Sequence, residues 1–278
     1  MKAPINKILP YSVVDGIGNR AVVFVQGCNI KCLYCHNPET QNLCIHCGEC
    51  IKKCPGNALS FDNEGRVLWD IKKCLNCDTC IKTCKYHSSP KVTYLTPEEV
   101  MNEVMKSYGF IRGITVSGGE CSLYPDFLEA LFRLAKKENL STLMDSNGMV
   151  DLSLYPQLME VCDGVMLDVK ALDDKTSIAL CQKANSIVYK NLKYLHDINK
   201  LTEVRIVVLD DLLDPEAIIK KIYQTLNGDV DKLLLKLIKF RPFGVVGELA
   251  NKPSPKALYM QKIKAYAMSL GYQKVEVI

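Results

Sequence analysis

Three closely spaced cysteines, Cys28, Cys32 and Cys35, form a CxxxCxxC loop directly after an apolar run of strand length. Thiolates are the usual ligands of iron–sulfur clusters and are also common zinc ligands. A four-iron cluster held by three thiolates keeps one iron open to an exchangeable ligand. Zinc normally takes four tetrahedral ligands, and His36 or Cys44 would complete such a site. Zinc is therefore the alternative at this loop.

An iron with an open position offers a specific chemistry. It can chelate the amino and carboxylate groups of S-adenosylmethionine while the cluster delivers one electron to the sulfonium. The sulfonium then breaks into methionine and a deoxyadenosyl radical. The three-cysteine loop thus predicts a cluster that cleaves S-adenosylmethionine reductively.

Eight more cysteines fall in two runs of identical C-x2-C-x2-C-x3-C spacing, repeated at a period of 30 residues. Bacterial ferredoxins with two four-iron clusters have this pattern, and the fourth cysteine of each run binds the other cluster. A pair of zinc knuckles is the alternative. Lys85 stands where the second run would often have proline, which affects the turn and not the number of ligands. The predicted ligand sets are Cys44, Cys47, Cys50 and Cys84 for one cluster, and Cys74, Cys77, Cys80 and Cys54 for the other.

The chain has 278 residues, of which 48% are hydrophobic. This composition is typical of a globular protein with a substantial core. The formal charge of +4 is spread along the sequence without lysine and arginine blocks, which argues against nucleic acid as a partner. No run of about 18 apolar residues and no signal-peptide pattern in residues 1–10 is present, so we expect no membrane segment and a cytoplasmic location.

In a reducing cytoplasm, eleven cysteines clustered between Cys28 and Cys84 indicate metal ligands and not disulfides. Three other cysteines, Cys121, Cys162 and Cys181, are isolated in the sequence. A lone cysteine usually behaves as a small apolar residue. We therefore predict a structural role for these three.

Apolar runs of strand length alternate with helix signals along most of the chain. The predicted strands are 21–25, 113–116, 141–144, 164–169, 203–209, 232–240 and 274–278. Thr96 and Glu99 form a capping box around Pro97, residues 125–138 have helical periodicity, and Asp214-Pro215 and Ser254-Pro255 resemble helix starts. This alternation predicts an α/β fold with a parallel sheet covered by helices, as an open or complete barrel.

The cysteine-dense and turn-rich residues 37–91 interrupt this alternation. We interpret them as a small inserted domain with the two-cluster ferredoxin pattern. The barrel core is then divided into residues 1–36 and 92–278.

Polar motifs stand at the ends of several predicted strands. Ser117–Glu120 (SGGE), Asp145–Gly148 (DSNG) and Met166–Lys170 (MLDVK) end three strands, and Arg205 lies in a fourth. Each motif alone is weak, because turns of this composition are common. The C-terminal ends of parallel barrel strands converge on one mouth, so we expect these residues to face the same cavity as the cysteine loop.

The order of the motifs along the whole chain resembles that of a known family. Residues 14–20 (VDGIGNR) are similar to an Asp-Gly-Pro-Gly-x-Arg motif, and the cysteine loop, the insert and the strand-end motifs follow in order. The chain resembles the glycyl radical enzyme activating enzymes of the radical S-adenosylmethionine superfamily, and most of all the YjjW type with a two-cluster insert. The resemblance implies a partial (β/α)6 barrel with an inserted ferredoxin-like domain, three 4Fe-4S clusters and S-adenosylmethionine.

The same resemblance implies the reaction and its partners. The deoxyadenosyl radical abstracts hydrogen from a backbone glycine of a glycyl radical enzyme. A flavodoxin or ferredoxin supplies the electron, and the insert clusters either relay it or act as structural staples. A radical enzyme acting on a small molecule would share the core motifs and is the main alternative. A ferredoxin-type carrier would leave the three-cysteine loop and the strand-end motifs unexplained.

Individual roles follow from the resemblance too. Tyr34, Cys35 and His36 line the S-adenosylmethionine pocket, and Gly118, Gly119 and Glu120 hold its amino group. Asp15 meets the glycine loop of the partner, although a cap or turn-forming role is the alternative. A monovalent cation would lie among Asp145, Ser146, Met166 and Asp168. The remaining ligand-contacting residues are Asp145, Asp168, Val169, Lys170, Arg205 and Arg241.

Two positions depart from the family pattern. Ile17 replaces the usual proline, which changes loop stiffness more than chemistry. Arg241 stands where the family often has histidine, and arginine can donate to a ligand but cannot lose its proton.

Overall fold

Eleven strands and eight α-helices make up the regular structure, and a computed structural model describes all 278 residues. The strands are β1 (Ala3–Ser12), β2 (Arg20–Val25), β3 (Leu59–Phe61), β4 (Val67–Trp69), β5 (Thr93–Leu95), β6 (Gly113–Gly118), β7 (Ser141–Ser146), β8 (Gly164–Asp168), β9 (Leu201–Val208), β10 (Leu234–Lys239) and β11 (Lys274–Val277). The helices are α1 (Thr79–Thr83), α2 (Pro97–Met105), α3 (Pro125–Lys137), α4 (Pro156–Val161), α5 (Asp174–Cys181), α6 (Ser186–Asp197), α7 (Pro215–Thr225) and α8 (Ala257–Ser269).

Nine of the strands form one sheet in the order β11-β10-β9-β8-β7-β6-β2-β1-β5. Seven of these strands, β2 and β6 to β11, pair with one another in parallel. The strand β1 is antiparallel to both β2 and β5. The two edge strands, β11 and β5, do not pair with each other, so the barrel stays open. The predicted partial α/β barrel is confirmed.

Helix starts follow the predicted caps in two places. The Thr96 side chain accepts from the Glu99 amide while the Glu99 carboxylate accepts from the Thr96 amide, which starts α2. Asp214 accepts from the Ala217 amide at the start of α7. The prediction at Ser254 is wrong, because α8 starts at Ala257 and Lys256 precedes it without a side-chain cap. None of the eight helices combines the length and apolar character needed to cross a membrane.

The long first strand is absent from the predicted elements. Pro4 and Pro10 lie in β1 and lower its strand propensity, because proline cannot donate to a ladder. The strand is tolerated beside the sheet edge, where only the short β5 covers it. Its first residues, Ala3 to Ile5, are buried against the main core.

Residues 37–91 have their own two-stranded sheet of β3 and β4 and a separate small core of Cys50, Leu59, Val67 and Cys80. Gln26 at the end of β2 ties this segment to the barrel, since its buried amide donates to the carbonyls of Glu39 (2.6 Å) and Asn42 (2.7 Å). The Asn42 amide in turn donates to the His87 carbonyl at 3.1 Å, which joins the two ends of the segment.

Arg20 is 2% exposed and is the largest fully buried side chain. Its guanidinium donates to the carbonyls of Ile114 (2.6 Å) and Ser141 (2.9 Å) and to the Thr115 hydroxyl (2.8 Å). Burial lowers the pKa of Arg20 to about 10. The Thr115 hydroxyl donates at 2.7 Å to the Asp15 carbonyl, so Arg20 also holds the backbone of the Asp15 loop through one intermediate side chain.

Replacing Arg20 with methionine should lower stability by about 3 kcal/mol, or roughly 6 °C in melting temperature, because several buried acceptors lose their donor. Thermal unfolding of the anaerobic protein measures this. Arg112→Met is the matched control, because Arg112 is exposed and lies beside Gly18 and Asn19, just before Arg20 in the chain. An equal change in both variants would show that the buried hydrogen bonds of Arg20 add no stability.

Candidate active site

A cavity of about 380 Å³ opens at the C-terminal ends of the parallel strands. The strand-end motifs, the cysteine loop and the N-terminal loop all contribute to its wall, as their convergence in a barrel predicts. The predicted site residues that line it are Asp15, Cys28, Cys32, Tyr34, Cys35, His36, Gly118, Gly119, Glu120, Asp145, Asp168, Lys170, Arg205 and Arg241.

The cysteine loop is held by backbone bonds at its start. The Gly27 amide donates to the Thr40 carbonyl at 2.8 Å, and the Cys28 amide donates to the Gln41 carbonyl at 2.9 Å. Burial, with a contribution from Glu120, raises the pKa of the Cys28 thiol to about 12. Metal loading must therefore release protons from this loop. Three thiols in the wall of a cavity of this size fit a cluster with one open iron.

Two adjacent glycines are required beside this loop. A Cβ on Gly118 would lie 2.3 Å from the Val25 amide nitrogen and carbonyl oxygen, and one on Gly119 would lie 2.1 Å from the Gly27 carbonyl oxygen. Gly118 also has a φ of +119°, which side chains other than hydrogen disfavour. The glycine pair thus lets the end of β6 approach the cysteine loop closely.

The carboxylate of Glu120 is 1% exposed and accepts four hydrogen bonds. The donors are the amide and hydroxyl of Ser122, the hydroxyl of Ser146 at 2.8 Å and the amide of Asn147 at 2.7 Å. Burial raises the pKa of Glu120 and these donors oppose the rise. Because the carboxylate is satisfied within the protein, ligand contacts from Gly118 to Glu120 would come from backbone carbonyls.

Asn147 continues this connection to the cysteine loop. Its side-chain amide donates to the side-chain oxygen Oδ1 of Asn29 at 2.9 Å and lies 3.7 Å from the Cys28 sulfur. Asn147 is absent from the predicted site residues, although it lies inside the predicted DSNG motif. Its place directly after Asp145 and Ser146 is the signal that would have identified it.

Two ion pairs lie on the opposite wall of the cavity. Arg205 Nη1 lies 2.9 Å from Asp145 Oδ2, and Lys170 Nζ lies 2.8 Å from Asp168 Oδ2. Glu203, absent from the predicted site, binds Arg205 Nε and lies 2.9 Å from Lys236. Its position two residues before Arg205 on β9 puts both side chains on one face of the strand, which is the sequence signal for it.

Val169 does not line this wall, and its predicted ligand contact stays a prediction that its side chain does not support. It is fully buried in the hydrophobic core, because successive side chains of an extended segment point to opposite faces. Asp168 and Lys170, on either side of it, face the cavity.

His36 and Arg241 contact each other across the cavity. The His36 Nε2 donates at 2.8 Å to the Arg241 carbonyl oxygen, and its ring stacks on Phe240 with centroids 6.3 Å apart. Burial lowers the pKa of His36. Arg241 thus contacts the cysteine loop through its backbone carbonyl. The residue is otherwise exposed to solvent.

Cys181, for which a structural role is predicted, is buried but lies beside the cysteine loop. Its thiol is fully buried and lies 3.4 Å from the Cys32 sulfur and 3.9 Å from the Tyr34 hydroxyl. The sequence carries no signal for this contact, because 149 residues separate the two cysteines. Cys121 and Cys162 are buried too, and their thiols donate to backbone carbonyls at 3.3 and 3.2 Å.

The other eight clustered cysteines surround two concave sites in the insert. One is lined by Cys44, Cys47, Cys50 and Cys84, and the other by Cys54, Cys74, Cys77 and Cys80. These groupings are the two predicted ligand sets. No group of three or more His, Cys, Asp or Glu side chains in the structure is arranged to hold a single metal ion.

Comparisons with known proteins identify the family. Residues 22–222 match the model of the radical SAM superfamily. A glycyl-radical enzyme activating enzyme of Haemophilus influenzae is 28% identical over 99% of this chain and 96% of its own length. The activating enzyme of (2S)-3-sulfopropanediol sulfolyase from Bilophila wadsworthia is 31% identical, over 67% of this chain and 68% of its own length.

Among solved structures, QueE from Escherichia coli aligns with a TM-score of 0.58 and 12% identity, covering 100% of this chain and 94% of its own. At that identity the likeness concerns the fold alone. The matched superfamily region spans most of the chain and includes the cysteine loop and the strand-end motifs up to Arg205. The chain therefore belongs to the radical SAM superfamily and, within it, to the glycyl radical enzyme activating enzymes.

Proposed function

We propose that this chain is a YjjW-type activating enzyme that holds three 4Fe-4S clusters and abstracts hydrogen from a backbone glycine of a partner enzyme. The observation that carries the proposal is the cavity at the strand ends, which Asp15 shares with Cys28, Cys32 and Cys35. A residue assigned to the partner and the thiols assigned to the catalytic cluster thus line one space.

Cys28, Cys32 and Cys35 would hold the catalytic cluster. With S-adenosylmethionine bound, this group supplies the deoxyadenosyl radical. The chain's own residues orient the cofactor: the carbonyls near Gly118 accept from its amino group, and Arg205 donates to its carboxylate. In the structure Arg205 lines the cavity, is paired with Asp145 at 2.9 Å and is bound through Nε by Glu203. Its Nη2 donates to the Met166 sulfur at 3.1 Å.

The rest of the S-adenosylmethionine molecule would be enclosed by five other lining residues, Tyr34, His36, Asp168, Lys170 and Arg241. Lys170 Nζ lies 5.9 Å from the centre of the Tyr34 ring and is bound to Asp168. The ion pairs Lys170–Asp168 and Arg205–Asp145 make the cavity wall polar, and each pair has no net charge. Such a wall suits a zwitterionic methionine group and a neutral adenine.

A monovalent cation near Asp145, Ser146, Met166 and Asp168 belongs to the same proposal. Both carboxylates already have cationic side chains as partners in the structure. A bound cation would therefore share these carboxylates with Arg205 and Lys170.

The insert would hold the other two clusters and form a ferredoxin-like domain of residues 37–91, with the core in residues 1–36 and 92–278. Its two halves have matching backbones, since His46 and Asn76, and likewise Gly48 and Asp78, have positive φ at equivalent positions. Backbone amides donate to two of the thiols, from His46 to the Cys44 sulfur at 3.4 Å and from Ala58 to the Cys54 sulfur at 3.3 Å, and such bonds help to set the potential of a cluster. We assign these clusters to an electron relay from a flavodoxin or ferredoxin.

Asp15 would meet the glycine loop of the partner. The Ser12 hydroxyl donates to its carboxylate at 2.5 Å, and its backbone is fixed through Thr115. The adjacent Val13, Val14 and Ile17 are more than 70% exposed. A preformed loop with apolar side chains in solvent suits a protein partner.

Anaerobically reconstituted protein should contain about twelve irons and about twelve sulfides per chain, from three four-iron clusters. Iron and acid-labile sulfide analysis measures this. Zinc as the main metal, with little sulfide, would overturn the cluster assignments at all three sites.

Replacing Cys28, Cys32 or Cys35 with alanine should abolish reductive cleavage of S-adenosylmethionine and leave roughly two thirds of the iron, on the three-cluster count. Replacing Cys47 or Cys77 should remove insert clusters and slow turnover with a flavodoxin or ferredoxin. Cys162→Ala is the control, since its thiol lies in the barrel core. Insert variants that keep the wild-type rate with the protein reductant would disprove the relay.

With S-adenosylmethionine, a reductant and the partner enzyme, a glycyl radical doublet should appear on the partner by electron paramagnetic resonance. Asp15→Ala should slow its formation by about 10- to 100-fold, the value of a charged hydrogen bond, with much less effect on uncoupled cofactor cleavage. Asp231→Ala, an exposed acid outside the cavity, is the control.

A wild-type rate of glycyl radical formation in Asp15→Ala would remove Asp15 from the site. Deoxyadenosine formation without a glycyl signal on any glycyl radical enzyme of the same genome would instead favour a small-molecule substrate.

A further inference from the structure

The carbonyl end of α5 is attached to the cysteine loop. The carbonyls of Leu180 and Cys181 accept from the amides of Leu33 and Lys31, both at 2.9 Å. The last carbonyls of a helix have no partner within the helix, and here two of them are bound by the loop that carries the catalytic cysteines. The helix therefore fixes the position of Cys181 relative to Cys32.

The thiol of Cys181 has different partners from the other two isolated cysteines. Those of Cys121 and Cys162 donate to the carbonyls of Asp145 and Gly164. The Cys181 sulfur lies beside the Cys32 sulfur, at 3.4 Å, and the Tyr34 hydroxyl, at 3.9 Å. It is 0% exposed, so water does not compete for these contacts.

Ligation decides which sulfur keeps the proton. A cysteine bound to iron is a thiolate, which only accepts hydrogen bonds. When Cys32 holds iron, the hydrogen between the two sulfurs therefore belongs to Cys181. The Tyr34 hydroxyl is then free to donate to the Cys181 sulfur, which makes a chain of donors directed at Cys32.

We propose that Cys181 is a positioning residue of the catalytic cluster, whose thiol donates a hydrogen bond to the Cys32 thiolate and raises the reduction potential of that cluster. Hydrogen bonds to cluster sulfurs help to set the potential. A donor stabilises the reduced state more, because reduction adds negative charge. The inference rests on the proposed function, since it requires the cluster at Cys28, Cys32 and Cys35.

The test is a redox titration of the reconstituted full-length protein, followed by electron paramagnetic resonance. The catalytic cluster is identified as the component whose signal changes when S-adenosylmethionine is added. Cys181→Ala should lower its equilibrium constant for reduction three- to tenfold, where tenfold corresponds to about 59 mV for one electron. Cys181→Ser, which keeps a donor, should recover part of the loss, and Tyr34→Phe should give a smaller shift of the same sign.

Cys162→Ala is the matched control and should leave the potential unchanged, since that cysteine is equally buried and bonds to a carbonyl of its own segment. A wild-type potential in Cys181→Ala would overturn the inference. Equal shifts in the alanine and serine variants would also overturn it, because lost volume and not a lost donor would then be the cause.

A second measurement does not depend on the folding of a variant. Electron–nuclear double resonance on the wild-type catalytic cluster should show a coupled proton that exchanges in deuterium oxide. Absence of such a proton would contradict the hydrogen bond. Absence of any cluster that responds to S-adenosylmethionine would contradict the proposed function itself, so the two failures are distinguishable.

Discussion

One buried carboxylate organises the mouth of the barrel. Glu120 belongs to the segment that follows β6, and two of its donors, Ser146 and Asn147, belong to the end of β7 and the turn after it. Asn147 then contacts the cysteine loop at Asn29. A buried carboxylate without these donors would be strongly destabilising, so the ends of the two strands and the loop after β2 hold one arrangement. The cavity wall depends on that arrangement.

The opposite wall is built on a different principle. A chain of alternating charges crosses β7, β9 and β10, and its members are Asp145, Arg205, Glu203 and Lys236. The side chains of Arg205 and Glu203 are only 11% and 4% exposed. Buried ion pairs add little net stability, but removing one partner is costly. The network therefore fixes the direction of Arg205 more than it stabilises the barrel. One wall is held by neutral donors around a single acid, and the other by paired charges.

The cysteine loop sits between these walls and the end of a helix. Gly118 and Gly119 let the strand next to it approach without side chains, and α5 supplies two carbonyls and a thiol from the other side. The three thiols of the loop are thus surrounded by groups that are themselves held in place. The insert is joined to the same region through Gln26 and Asn42, which places its attachment next to the start of the loop.

The sequence by itself determined the parallel barrel strands, the starts of α2 and α7, the ligand spacing of the cysteines and the membership of the family. These properties depend on local periodicity, capping and short spacings, which are written in consecutive residues. The strand β1 was not predicted, because its two prolines lower its strand propensity. Pairing with β2 and β5 forms the strand in spite of them. Only the tertiary structure revealed that Glu120 is satisfied inside the protein, that Val169 turns away from the cavity, that Arg241 contacts His36 through its backbone and that Cys181 lies against Cys32. Each of these is a contact or an orientation set by packing between segments far apart in the chain, and side-chain type does not reveal which distant groups the fold will bring together.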